Sequence, residues 1–236
     1  AGHGNLENTE AVTQGAEGRR RVAFPEQADQ PNHYGDFEMN DATPYRLLTV
    51  PAIGAPLAGG FYAGTIEIGG SRFGLALAPK AEGRHEPAPW NKSVKTVEGA
   101  LSYNDGLANT IAMAAAGSAI ATWAMEREIA GVRGWYIPSL DELEIVYRNL
   151  KPTAQKNYCW ARSGINLHAW PQTEPYTPAA PAQTTVAAFQ EGGDEAIDTE
   201  WHWTSTQVAG NSDYAWLQYF GLGGQHDDRK SNLSPV

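Results

Sequence analysis

With 236 residues, 42% of them hydrophobic and 19% charged, the chain has the composition of an ordinary globular protein with room for a substantial core. Its net charge of −10 repels phosphate backbones and argues against nucleic-acid binding, and the one basic run, Arg19-Arg20-Arg21, is too short to reverse this. The lone cysteine, Cys159, excludes an intrachain disulfide and fits assembly in a reducing cytoplasm.

Residues 1–45 are polar, rich in Gly, Asn, Gln and Glu, and show no sustained period. They read as an extended arm for attachment or oligomerisation, ordered by what it touches. His33, Asp36, Glu38 and Asp41 cluster there, but their spacing matches no tight metal-ligand pattern. The N-terminus lacks the charged-then-apolar pattern of a signal peptide. Residues 46–60, with Pro51, Gly54, Pro56, Gly59 and Gly60, form a connector into a domain expected over 46–236. A hairpin follows, Phe61–Ile68 returning as Arg72–Ala78 around Gly69-Gly70-Ser71.

Residues 79–97 read as a polar loop that includes Trp90. Asn104 or Asp105 then offers an N-cap for one long Ala-rich helix from about Gly106 to Ile129, stopped by Gly131 and Gly134. Its Ile111–Ala124 stretch is the most apolar in the chain, yet is interrupted by Gly117 and Ser118 and falls short of membrane-spanning length. Ser139-Leu140-Asp141-Glu142 is a capping box, and Leu140, Leu143, Val146, Tyr147 and Leu150 recur at helical spacing until Lys151-Pro152. The acids Asp141, Glu142 and Glu144 are explained here by capping and solubility rather than catalysis. Residues 153–200 are a loop insertion, long for a compact domain. Strands are expected at Trp201–Thr206 and Tyr214–Phe220, flanking a polar loop from Gln207 to Asp213, with a last strand through Leu233 to Val236.

The segment Gly134-Trp135-Tyr136-Ile137-Pro138-Ser139-Leu140-Asp141-Glu142-Leu143 resembles the G-W-x-L-P-S/T-x-x-E-L stretch of the DUF1566 family, relatives of the C-terminal domain of the Legionella collagen-like adhesin. Trp203-Thr204-Ser205-Thr206 followed by Tyr214-Ala215-Trp216 is similar to that family's Y-W-S-S-T and A-W segment, and Gly60–Gly64 to its opening strand. Asn149–Thr153, Pro181–Thr185 and Phe189–Gly193 resemble a branch common in phages and prophages. The resemblance covers about Ala52 to Val236. The chain departs from it at Ser234-Pro235-Val236, where members carry a basic strand of the V-R-x-V-R type.

The resemblance implies an α+β, C-type-lectin-like fold, with two helices packed on a small twisted antiparallel sheet. It also implies a bacteriophage virion protein of the tail fibre, tail tip or baseplate that attaches to host surface glycan or protein. The arm would join other virion proteins or further copies of the chain. In such folds the closing strands and their loops make the contacts, which here gives Gln207, Asn211, Asp213, Tyr214, Trp216, Gln218, Gln225, His226 and Asp227. Short amides mixed with rings suit an adaptable binding surface. Strand parity sets Tyr214, Trp216, Gln218 and Phe220 on one face and Ala215, Leu217 and Tyr219 on the other, and leaves open which is core. Trp203 and Trp216 are expected as core rings, with the polar loop residues exposed.

No catalytic motif, phosphate-cradling loop or paired cysteines is present, so no enzyme, cofactor or metal site is expected. Calcium-dependent sugar loops of the Glu-Pro-Asn or Gln-Pro-Asp type are missing as well. Two rival readings stand beside attachment: a decorating virion module docked on another virion protein, and a formylglycine-generating type of enzyme, for which Cys159 would be the nucleophile.

Overall fold

The computed structural model describes residues 50–160 and 162–236, together with the backbone of a short strand at 22–24. The remainder of the proposed arm, including the His33–Asp41 cluster, lies outside the described residues. The chain is α+β, built from small antiparallel sheets and a few helices. Strand β1 (Val22–Phe24) pairs with β4 (Ser71–Leu77), β4 with β3 (Gly60–Ile68), and β3 with β2 (Pro56–Leu57). A short α1 (Lys80–Gly83) and β5 (Ala88–Pro89) lead to helices α2 (Gly106–Ala115), α3 (Ala119–Met125) and α4 (Leu140–Leu150). Strand β6 (Ala169–Trp170) adds to β3 from within the insertion. The chain closes with a second sheet of β7 (Trp201–Gln207), β8 (Tyr214–Tyr219) and β9 (Gln225–Arg229), and with β10 (Leu233–Ser234) pairing back on β5.

The hairpin expected from Gly69-Gly70 forms, with both glycines at positive φ. A bulge near Gly64 lets β3 press against α4. A Cβ there would overlap the Ile145 methyl and sit 2.6 Å from Asn149 Nδ2, which itself donates to Ala63 O at 2.8 Å. This close approach gives the first core, in which Ala63, Ile66 and Leu75 meet Leu143, Val146, Tyr147 and Phe220.

The single long helix expected over Gly106–Ile129 is two helices. Asp105 does cap the first, accepting from Ala108 N at 2.8 Å. The break comes at Gly117, which takes φ +83 and closes a Schellman turn, with Ser118 N donating to Met113 O at 3.0 Å. Ser118 Oγ then bonds Trp90 O at 2.6 Å. Trp90, read from sequence as part of a polar loop, is fully buried. It joins Met113, Ile120, Trp203 and Leu217 in a second core under β7–β9. The tight turn Ile129–Val132 follows, with Ala130 and Gly131 both at positive φ.

Helix α4 forms with its capping box, and its apolar and polar residues keep to separate faces, but both faces are covered. Nine of its 11 residues are buried, so solubility does not explain the acids of its outer face. The insertion covers them. Arg148 reaches Gly164 O and Glu174 O, both at 3.0 Å, and Asn166 bonds Glu144. Asp141 holds Arg162 and, at 2.6 Å, His168; burial outweighs both partners and raises its pKa. Asn157 ties the insertion further, accepting from Tyr147 Oη and Lys151 Nζ, each at 2.8 Å.

Lys230 is buried outright. Its Nζ donates to Lys95 O and Gln207 Oε1 and lies 4.6 Å over the Trp90 ring. Burial pushes its pKa down to about 8 from 10.5, against the pull of Asp213. The folded chain therefore releases this proton near pH 8, while the unfolded chain keeps it up to the ordinary value. Between those limits the unfolded state binds more protons, so this group's contribution to stability rises with pH; below about 8 it stays at its lowest. Urea unfolding at about pH 7.5 and about pH 9.5 should show the wild type gaining stability relative to Lys230→Met at the higher pH. A constant difference between the two proteins would mean that Lys230 titrates normally.

Candidate functional site

The closing sheet has two different faces. Ala215 and Leu217 of β8 point into the second core beside Trp203, which settles the parity left open by the sequence. On the other face Tyr214 sits opposite Arg229, Trp216 opposite Asp227, and Gln218 opposite Gln225. Trp216 is half-buried rather than a core ring. It packs beside Tyr103 at 6.4 Å, with the Arg162 guanidinium stacked over Tyr103 at 4.7 Å. The Trp216 Nε1 is enclosed and has no acceptor among the described residues.

The nine candidate residues divide by burial. Asn211 and His226 are exposed, and Asp213, Tyr214, Trp216 and Asp227 are partly so. Gln207, Gln218 and Gln225 are buried and leave the exposed surface. Gln207 is the end of β7 rather than loop. Its Oε1 accepts from Val97 N at 2.8 Å and from Lys230 Nζ, so it staples the polar loop 79–97 and the chain after β9 to the sheet. Gln218 donates to Gly223 O at 3.0 Å, closing the β8–β9 turn. The β7–β8 connection itself is exposed at its tip, Ala209–Asn211, with Gly210 at φ +78.

An aromatic ledge that the sequence reading missed lies at the other end of the sheet. Trp201 stacks on Tyr219, the ring centroids 5.1 Å apart, and His226 meets Trp201 edge-on at 6.3 Å. Tyr158 N donates to Leu222 O at 2.8 Å, which fixes the insertion against the β8–β9 turn. That contact brings Tyr158 toward Trp201 across Gly224, and Trp160 lies on from Tyr158, their ring centroids 6.4 Å apart. Gly224 is the seam, since a Cβ there would lie 3.5 Å from Trp201 and 3.6 Å from Tyr158. The rings remain open to solvent: Trp201 is 39% exposed, Tyr158 52% and Trp160 60%. Asp227 and the His226 imidazole, 3.7 Å apart, supply polar groups at the border.

Exposed hydrophobic residues scattered singly are ordinary, whereas several Trp and Tyr rings gathered on one surface suit contact with a partner. Flat rings suit stacking against a sugar or a protein side chain, and they lose little conformational entropy on binding. Parity contained part of the signal. Trp201 and Trp203 share a face, and Trp201 lies where that face runs past the edge of the core. The proximity of Trp160 depends on the path of the insertion, which no local pattern specifies. The chain matches no family model, no curated protein and no solved structure.

Proposed function

We propose that this chain is a bacteriophage virion protein of the tail fibre, tail tip or baseplate. Its domain, of C-type-lectin-like type, binds a host surface glycan or protein and performs no catalysis. The observation that carries the reading is the aromatic ledge of Trp201 and Tyr219 on the paired strands β7 and β8, extended by the exposed Tyr158 and Trp160 of the insertion and bordered by His226 and Asp227. Paired strands present the Trp201 and Tyr219 rings with little reorganisation, which is the condition for tight stacking. The residues before 46 would attach the domain to other virion proteins or to further copies of the chain. The motif order from Gly134 to Trp216 supports the same assignment, as a resemblance.

Binding of the purified protein to host cells or to an array of host surface glycans tests it. Trp201→Ala combined with Trp160→Ala should weaken binding by about tenfold or more, because central exposed aromatics dominate contact energies. The far-UV spectrum should stay unchanged. A wild-type protein that binds no host surface, with the ledge packed on another virion protein in the assembled particle, would transfer the assignment to a decorating module.

A further inference from the structure

A cleft of about 180 Å³ opens between the C-terminal half of β4, the first turns of α4 and the segment that follows α3. Its floor is hydrocarbon, formed by Leu75, Leu77, Leu143, Val146 and Phe220. Most charged groups along its border are matched. Lys80 and Arg84 both hold Asp198, and Arg133 holds Glu128. Tyr136 donates to Glu142 at 2.9 Å. Arg127 differs. It lines the cleft, half-buried, with its guanidinium 5.1 Å from the Trp123 ring. Its Nε is enclosed and has no acceptor among the described residues. An enclosed cationic N–H beside a hydrocarbon floor is complementary to an oxyanion carried on an apolar body.

We propose that this cleft binds a small monocarboxylate with an apolar ring or chain, Arg127 taking the carboxylate and the Leu75–Phe220 floor taking the hydrocarbon. The volume is in the range of cavities that hold a benzene-sized group, roughly 150 Å³. The planar guanidinium matches a carboxylate in shape, and Trp123 lies against it. The site is separate from the aromatic ledge, and the inference does not rest on the attachment reading.

Titration of the full chain with benzoate and hexanoate, followed residue by residue by NMR, tests it. Benzyl alcohol and hexanol serve as neutral counterparts. Saturable shifts are expected at Leu75, Leu143 and Val146, with the carboxylates bound about tenfold or more tighter than the alcohols. Arg127→Leu should lower benzoate affinity by about tenfold and leave benzyl alcohol unaffected. Val146→Phe, which fills the floor, should abolish both. If that variant does not fold, the Arg127→Leu comparison decides alone. Equal affinity for benzoate and benzyl alcohol, unchanged benzoate binding by Arg127→Leu, or an absence of saturable shifts at the cleft would each overturn the proposal.

Discussion

Glu142→Ala should cost about 2–6 kcal/mol of folding stability, from two orphaned buried donors at about 1–3 kcal/mol each, one of them the capping-box amide of Ser139. Glu142 is 1% exposed and acts as a hub rather than as a surface acid. Its Oε2 accepts from Ser139 N at 2.8 Å, Ser139 Oγ at 2.9 Å and Gly106 N at 3.0 Å, and its Oε1 accepts from Tyr136 Oη. One carboxylate thus joins the first residue of α2 to the first turn of α4. Gly106 is the residue that permits this, because a Cβ would collide with the carboxylate and sit 2.6 Å from Ser139 N. Alanine removes every acceptor and leaves the Gly106 and Ser139 amides buried without partners. Glu142→Gln keeps one acceptor oxygen and should lose less. Urea midpoints of the three proteins check the order, and an alanine variant as stable as wild type would mean that water replaces the carboxylate.

Trp90→Ala should be comparably damaging, at about 3–5 kcal/mol, the usual range for emptying a buried tryptophan site. The ring has no exposed surface. Its Nε1 donates to Thr204 O at 2.7 Å, and the Lys230 ammonium sits over its face. Truncation leaves a cavity, an unpaired Thr204 carbonyl and a buried cation without its aromatic neighbour. The melting temperature should fall on the order of 10 °C. Trp90→Phe retains the ring face and loses the N–H, so it should fall between. A melting temperature for Trp90→Ala within about 2 °C of wild type would contradict the packing described for the second core.

How much could be read without coordinates depended on how local each cause was. The capping box at Ser139, the Gly-Gly turn and the aromatic-rich strands near 201–206 and 214–220 follow from local pattern, and they appear within a residue of where it puts them. Gly117 interrupts the Ala-rich stretch, yet helix propensity summed over that stretch favours continuity. The break is decided by the buried bond from Ser118 to Trp90 O, 28 residues away. The site shows the same division. Exposure of Asn211 and His226 agrees with their polar settings, whereas Gln207 is buried by a lysine 23 residues later in the chain.

By itself the sequence determined the elements whose energetics are local: caps, turns and the extended segments of the closing strands. Tertiary structure alone decided which polar groups are inside, because a buried glutamine, lysine or carboxylate is stable only when distant partners satisfy it. It alone decided as well that α4 is covered on both faces and that Tyr158, with Trp160 next to it, meets the Trp201 side of the sheet across Gly224. Both follow from the path of residues 153–200 across the domain, and that path is held by side-chain contacts between segments far apart in the chain.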